Sequence, residues 1–200
     1  MKLETQVEKF SYALGLSLAN NLLQSQIHTV EFDAMFTAIR EVMEGRKPLI
    51  SPNEANKIIE EYFIEQQQTQ GAVNAKEGTE FLAQNKKIEG VVELSSGLQY
   101  KVLEQGNGPK PKITDKVKCH YHGTLIDGTV FDSSILRREP AIFPVNGVIK
   151  GWVEALQLMN TGSKWQLYIP AHLAYGDHGT GTSIGPKKTL IFDVELIEIV

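Results

Sequence analysis

The apolar residues of this chain change their spacing near residue 90, and that change constrains the fold more than any other feature. Upstream, Val7, Phe10, Leu14, Leu18 and Leu22 recur at steps of three and four, and Phe32, Phe36, Ile39 and Met43 repeat the pattern. This is the spacing of one face of an α-helix. Downstream the period is two: Val117, Cys119 and Tyr121 alternate with Lys118, His120 and His122, and Trp165, Leu167 and Ile169 alternate with Lys164, Gln166 and Tyr168. Such alternation belongs to antiparallel strands with one face in a core and the other toward solvent. Helices followed by a sheet are the expectation.

Punctuation refines it. "GRKPLI" ends the second helix, and "SPNE" starts a third, with Ser51 as N-cap, Pro52 at the first helical position and Glu54 completing a capping box. That helix passes Ile58, Ile59, Tyr62 and Phe63 and runs to about Lys87, its apolar residues thinning to Val73, Phe81 and Leu82. A helix polar on most sides is expected to bridge domains through solvent. Gly71 and Gly78, each costing about 1 kcal/mol against Ala, are the places where it would break. In the second half Asp127-Gly128 marks a hairpin, "GWVEALQLM" a single short helix and "TLIFDVELIEIV" a last strand. The fold class read from this pattern is α+β: a helical segment over 1–50, a linker helix over 51–90, and over 91–200 an antiparallel sheet wrapped on one short helix.

Charge and composition exclude several functions. With 20 basic and 24 acidic residues the net charge is -4, which argues against nucleic acid or an anionic membrane as partner. No run of about 18 apolar residues occurs. The start "MKLETQVEKFSYALG" has acids where a signal peptide carries its apolar core. The single Cys119 forms no intrachain disulfide, so a cytoplasmic location is expected. "GDHGTGTS" has Gly176 and Gly181 at phosphate-loop spacing, but Thr182 stands in place of the Lys. Cys119, His120 and His122 lie on opposite faces of one strand and make no metal site. Ser133 and Ser134 lack a nucleophile-elbow pattern. No cofactor is called for.

What remains is an aromatic and aliphatic set with few polar atoms: Tyr121, Phe131, Asp132, Phe143, Val148, Ile149, Trp152, Tyr175, Ile184 and Phe192. Taken singly, each apolar member reads as core. Tyr, Trp and Asp, however, bring polar groups that need partners, and Tyr175 lies in "HLAYGDHGTGTSIGP", a Gly-rich loop with too few large side chains to be core.

In "CHYHGTLIDGTVFDSS", "FPVNGVIKGWVEALQLMNTGSKWQLYIPAHLAYG" and "TLIFDVELIEI" the chain resembles the FKBP-type peptidyl-prolyl isomerases, the macrolide-binding immunophilins. "SYALGLSLANNL" and "FLAQNKKIEGVVELSSGLQYKVLEQG" extend the resemblance to the bacterial branch of the macrophage infectivity potentiator proteins and their cytoplasmic relatives. The resemblance implies a helical dimerisation domain over 1–50 and an isomerase domain over 91–200. It also implies a pocket floored by Trp152. Asp132, Tyr175, Phe131 and Trp152 would carry catalysis, and Tyr121, Phe143, Val148, Ile149, Ile184 and Phe192 would bind substrate. Asp132 is expected to accept a hydrogen bond from Tyr121. Ala141 replaces an aromatic common in single-domain members, and Gly185-Pro186 replaces a frequent Pro-Pro, so the pocket is expected to be more open there. The partners implied are proline-containing peptides, partly unfolded proteins, macrolide inhibitors and a second copy of the chain. A peptide- or macrolide-binding chaperone with negligible turnover is the alternative.

Overall fold

The computed structural model describes residues 2–25 and 27–200. Three helices come first: α1 (Gln6–Gln24), α2 (Phe32–Met43) and α3 (Pro52–Asn85). A capping box starts α1: the Thr5 hydroxyl accepts from the Glu8 N–H at 3.2 Å, while the Glu8 carboxylate accepts from the Thr5 N–H at 2.8 Å. At α3 the Ser51 hydroxyl accepts from the Glu54 N–H at 3.2 Å, and Pro52 opens the helix where its missing N–H costs nothing.

Two compact units meet within α3, one reaching to Glu60 and the other Glu61–Val200. In the first, no described residue of α1 or α2 is buried. Its apolar stripes, formed by residues such as Phe10, Leu14, Phe36 and Met43, are exposed.

The second unit holds strands β1 (Val91–Glu93), β2 (Gln99–Glu104), β3 (Lys116–Leu125), β4 (Val130–Ser133), β5 (Ala141–Pro144), β6 (Lys164–Ile169) and β7 (Leu190–Ile199). They pair antiparallel in the order β1-β2-β6-β7-β3-β4. On its other edge β3 meets β5 along Lys116–Cys119 and then β4 along 122–124. This split gathers the ends of β4 and β5 around Tyr121. Helix α4 (Ser134–Arg137) follows β4, and α5 (Lys150–Leu158) lies on the sheet. Trp152, Ala155 and Leu156 of α5 join Leu167, Ile169, Val194 and Leu196 in the core. A Cβ on Gly151 would stand 2.6 Å from Ile169 Cγ2, so glycine sets how closely α5 approaches β6.

The alternation expected of β3 is present: Val117, Cys119 and Tyr121 are buried, and burial pushes the Cys119 thiol up to about 12, with Glu195 adding to it. On the other face His120 Nδ1 lies 3.0 Å from Ser134 Oγ, and His122 Nδ1 lies 2.9 Å from Ser133 Oγ. On β6 one expectation fails, because Tyr168 is buried rather than solvated. Phe81 of α3 covers it with ring centroids 6.0 Å apart.

The same contact corrects the reading of α3 as a helix bridging through solvent. Beyond Glu61 it is seated on its own unit by Gly71, Asn74, Gly78 and Asn85, all buried. Asn85 Nδ2 donates to Gln99 Oε1 at 2.8 Å, and Gln99 Nε2 donates to the Leu82 carbonyl at 3.0 Å. Gly71 and Gly78 do not break the helix. They are its contact surface, since a Cβ on Gly71 would lie 3.5 Å from Pro186 Cβ and one on Gly78 would collide with the Thr189 hydroxyl.

Candidate active site

A cavity of about 460 Å³ opens beside the N-terminus of α5. Its floor is Trp152, in the first turn of that helix and buried. Around the indole stand three rings edge to face: Tyr121 of β3 at 5.6 Å and 85°, Phe143 of β5 at 5.4 Å and 74°, and Phe192 of β7 at 5.3 Å and 82°. Phe131 of β4 stands against Phe192 at 5.3 Å and 84°. This is the preferred geometry of aromatic pairs, and it makes a rigid wall. Val148 and Ile149, entering α5, complete the apolar lining, while Asp132 and Tyr175 supply polar atoms at its edge.

The polar edge is one connected network. Tyr121 donates its hydroxyl to Asp132 Oδ2 at 2.5 Å, as the sequence reading expected of this pair. Arg137 Nη2 donates to the Tyr121 hydroxyl at 2.8 Å, and Arg137 Nη1 pairs with Asp132 Oδ1. Local sequence explains how Arg137 gets there. The Ser133 hydroxyl accepts from the Leu136 N–H at 3.2 Å and starts the single turn of α4. Arg138, in the left-handed region at φ 58°, ends that turn and leaves Arg137 facing back over Asp132.

Charges follow from this geometry. Burial works against the Asp132 carboxylate, but hydrogen bonds from Tyr121 and Arg137 and the guanidinium charge outweigh it and hold its pKa below the usual value. Burial, then the bond to Asp132, raises the Tyr121 phenol. Burial, then the Asp132 charge, raises Tyr175. Both phenols therefore stay protonated at neutral pH and remain donors.

Of the residues singled out in the sequence, nine line this cavity: Tyr121, Phe131, Asp132, Phe143, Val148, Ile149, Trp152, Tyr175 and Phe192. Ile184 lies in the buried core and pairs with Thr180 in an isolated bridge, off the lining. The sequence reading did not name Gly147, Arg137 or Gly123. Gly147 lines the cavity. Gly123 occupies an inward position of β3, where a Cβ would fall 2.7 Å from the Phe131 ring and 2.8 Å from Phe192. A glycine inside a strand pattern signals such a close approach. For Arg137 the only signal is its place one turn after an N-cap serine.

Comparison with known proteins agrees with this architecture. Residues 108–197 match the family model for FKBP-type peptidyl-prolyl cis-trans isomerase, and residues 7–102 match the model for the domain amino terminal to it. The chain is 46% identical over 194 residues to the FKBP-type 22 kDa peptidyl-prolyl cis-trans isomerase of Escherichia coli (strain K12), covering 94% of this chain and 93% of the relative. It is 39% identical over 204 residues to the outer membrane protein MIP of Legionella longbeachae, covering 98% and 87%. The crystal structure of FkpA from Escherichia coli superposes with a TM-score of 0.76 at 33% identity, covering 99% of this chain and 98% of that one. A helical half followed by an antiparallel sheet around an aromatic cavity defines the class, a prolyl isomerase with an N-terminal helical domain. The chain belongs to the FKBP-type peptidyl-prolyl cis-trans isomerases, and its activity is rotation about X-Pro bonds.

Proposed function

We propose that X-Pro rotation takes place in the Trp152 cavity, with Asp132, Tyr175, Phe131 and Trp152 as its catalytic residues. Rotation meets a barrier of about 18–20 kcal/mol because it breaks C–N resonance, and the planar amide is more polar than the twisted one. An apolar aromatic cage therefore favours the twisted amide relative to water. No nucleophile is required: a gain of about ten-thousandfold needs only about 5.5 kcal/mol. Trp152, Phe131, Phe143 and Phe192 seat the proline ring. The Tyr175 hydroxyl, kept protonated, donates to the substrate. Asp132 supplies a fixed negative charge whose direction Tyr121 and Arg137 set.

The observation that carries this reading is a single carboxylate held by two donors at the edge of a largely apolar cavity. Asp132→Leu in the folded full chain should lower kcat/KM on a short X-Pro peptide at least about tenfold, or about 1.4 kcal/mol. Full activity in that variant removes Asp132 from the mechanism. Peptide or macrolide binding without turnover in the wild type would favour the chaperone alternative.

The working form we propose is a homodimer that also holds partly unfolded clients. Supporting this, Phe10, Leu14, Phe32, Phe36, Ile39 and Met43 are all exposed, Met43 by 82%. Roughly 50 residues are too few to bury such a set alone, and a symmetric pair is the commonest cover. Two sites per particle would raise the effective concentration of a client. Full-length protein should then outperform a fragment over Glu61–Val200 on a proline-limited refolding substrate and match it on a peptide. A cytoplasmic site of action fits the lone thiol of Cys119, and cell fractionation tests it.

A further inference from the structure

We propose that Asn74 of α3 is a positioning residue for catalysis: its side-chain amide holds the loop over residues 176–189, and through that loop Tyr175, in the geometry the cavity needs. The inference rests on the reading of Tyr175 as part of the site.

Tyr175 is 38% exposed and sits at the start of a loop poor in large side chains. Gly176, Gly179 and Gly181 take φ of 61°, 67° and 56°, and the loop's tip is tied by the Thr180–Ile184 bridge and by Ile184 in the core. Its base closes where the Lys187 N–H donates to the Gly176 carbonyl at 2.8 Å, one residue after Tyr175. Lys187 makes that bond from the left-handed region, at φ 54°. A residue with a Cβ persists there only when its surroundings hold it.

Asn74 supplies the hold. Its Nδ2 donates to the Pro186 carbonyl at 2.7 Å, across 112 residues of sequence, and so pins the peptide that leads into Lys187. Asn74 is itself fixed, being 1% exposed with Oδ1 accepting from Gln70 Nε2 at 2.9 Å. One turn to either side, Gly71 meets Pro186 and Lys187 and Gly78 meets Thr189. Thr189 leads directly into β7, three residues before Phe192 of the cavity wall. Beside this line of contacts, α3 and the loop part around a second cavity of about 420 Å³ that reaches Thr79, His172, Gly176 and Asp177. On its α3 side the loop is thus held by one row of contacts. A helix needing only to dock could bury an apolar residue at position 74, since an amide is costly to bury without partners. The amide is explained by the carbonyl it holds.

The test is a double-mutant cycle on the full-length chain. Asn74→Leu keeps the branched shape and removes the donor; it should fold, with its circular dichroism and melting well clear of the assay temperature. Its kcat/KM on a short X-Pro peptide should fall about fivefold, the size of one neutral hydrogen bond. Tyr175→Phe should lower the rate of the wild type and have little further effect in the Asn74→Leu background, because the hydroxyl is no longer held in place. A folded Asn74→Leu with full activity, or two losses that simply multiply, overturns the proposal. If Tyr175→Phe leaves the wild-type rate unchanged, the reading of Tyr175 fails and takes this inference with it; a loss in Tyr175→Phe beside a silent Asn74→Leu overturns the inference alone. Should Asn74→Leu fold poorly, Asn74→Ala carries the same cycle.

Discussion

The first half of α3 carries Ile58, Ile59, Tyr62, Phe63 and Ile64, exposed by 37% to 54%, whereas the second half buries Gly71, Asn74, Gly78 and Asn85. Hydrophobicity alone predicts the reverse. The buried four recur at steps of three, four and seven, which puts them on one helix face. Opposite that face lie the Pro186, Lys187 and Thr189 side chains, the Pro186 carbonyl and the Gln99 amide, so small residues and side-chain amides are the ones that fit. The apolar residues of the first half, by contrast, stay exposed. Burial along this helix follows what faces it.

The strongest way to break that comparison is to cut it. A fragment starting at Val91 loses Phe81 from Tyr168, Asn85 and the Leu82 carbonyl from Gln99, and Asn74 from Pro186, all of which a fragment starting at Glu61 keeps. Three hydrogen bonds at about 1 kcal/mol each and the burial of one aromatic at about 2 kcal/mol should lower the melting temperature by about 20 °C. Equal midpoints for the two fragments would mean that the buried polar face contributes nothing to the fold.

Next in size is the exposed side of the comparison. Phe36→Glu places a charge in the proposed dimer surface and should cost the association on the order of 3 kcal/mol. Light scattering at micromolar concentration should then show a monomer in place of a dimer, with turnover of a short peptide unchanged within about twofold. A wild-type monomer would remove the need for any partner at these helices.

Within the second half of α3 the comparison can be sharpened residue by residue. Gly78→Val forces atoms against Thr189 and should cost about 1–3 kcal/mol, while Val73→Ala, on the exposed side of the same turns, should stay within about 0.5 kcal/mol. Trp152 and Trp165 both lie in the second unit and report its unfolding by fluorescence. Similar urea midpoints for the two variants would contradict the assignment of faces.

The smallest effect separates neutral from charged contacts. Asn74 and Pro186 are joined by neutral groups, but the Tyr121–Asp132–Arg137 network depends on a carboxylate whose pKa is lowered in the folded state. A lowered folded pKa gives stability that is present above the unfolded value, about 3.9, and is lost as pH falls through the folded one. With the Asp132 side chain 43% exposed, solvent screening keeps this below about 1 kcal/mol. Asp132→Asn should therefore melt slightly lower than wild type at neutral pH, and the gap should close as the pH drops below about 4. A gap that persists in acid would assign the effect to packing instead of charge.

Most of the elements were legible because their causes are local. Steps of three and four foretold α1 and α2, Ser51 and Pro52 foretold the start of α3, and alternation foretold β3, β6 and their inward faces. The aromatic set of the cavity was legible for a different reason: Tyr121, Phe131, Asp132, Phe143 and Trp152 fall in motifs that the resemblance recognises in order. Arg137 was not, since nothing in its neighbours announces that one turn of α4 folds it back over Asp132. Gly123 was invisible because the two rings it admits come from other strands. Tyr168 was read onto the wrong side of a boundary, since period two tells which residues share a face but leaves open whether a helix will cover the outer one.

The sequence by itself determined that α1, α2, α3 and α5 are helical, that β3, β6 and β7 are extended, and where α3 begins, because dihedral preference, capping and side-chain period act over a few residues. The tertiary structure alone decided that a glycine and asparagine face is the buried one on α3, and that Asn74 meets a carbonyl 112 residues away. Such pairings depend on which surfaces the folded chain brings opposite one another, and a hydrogen bond between positions that distant leaves no period in the sequence to read.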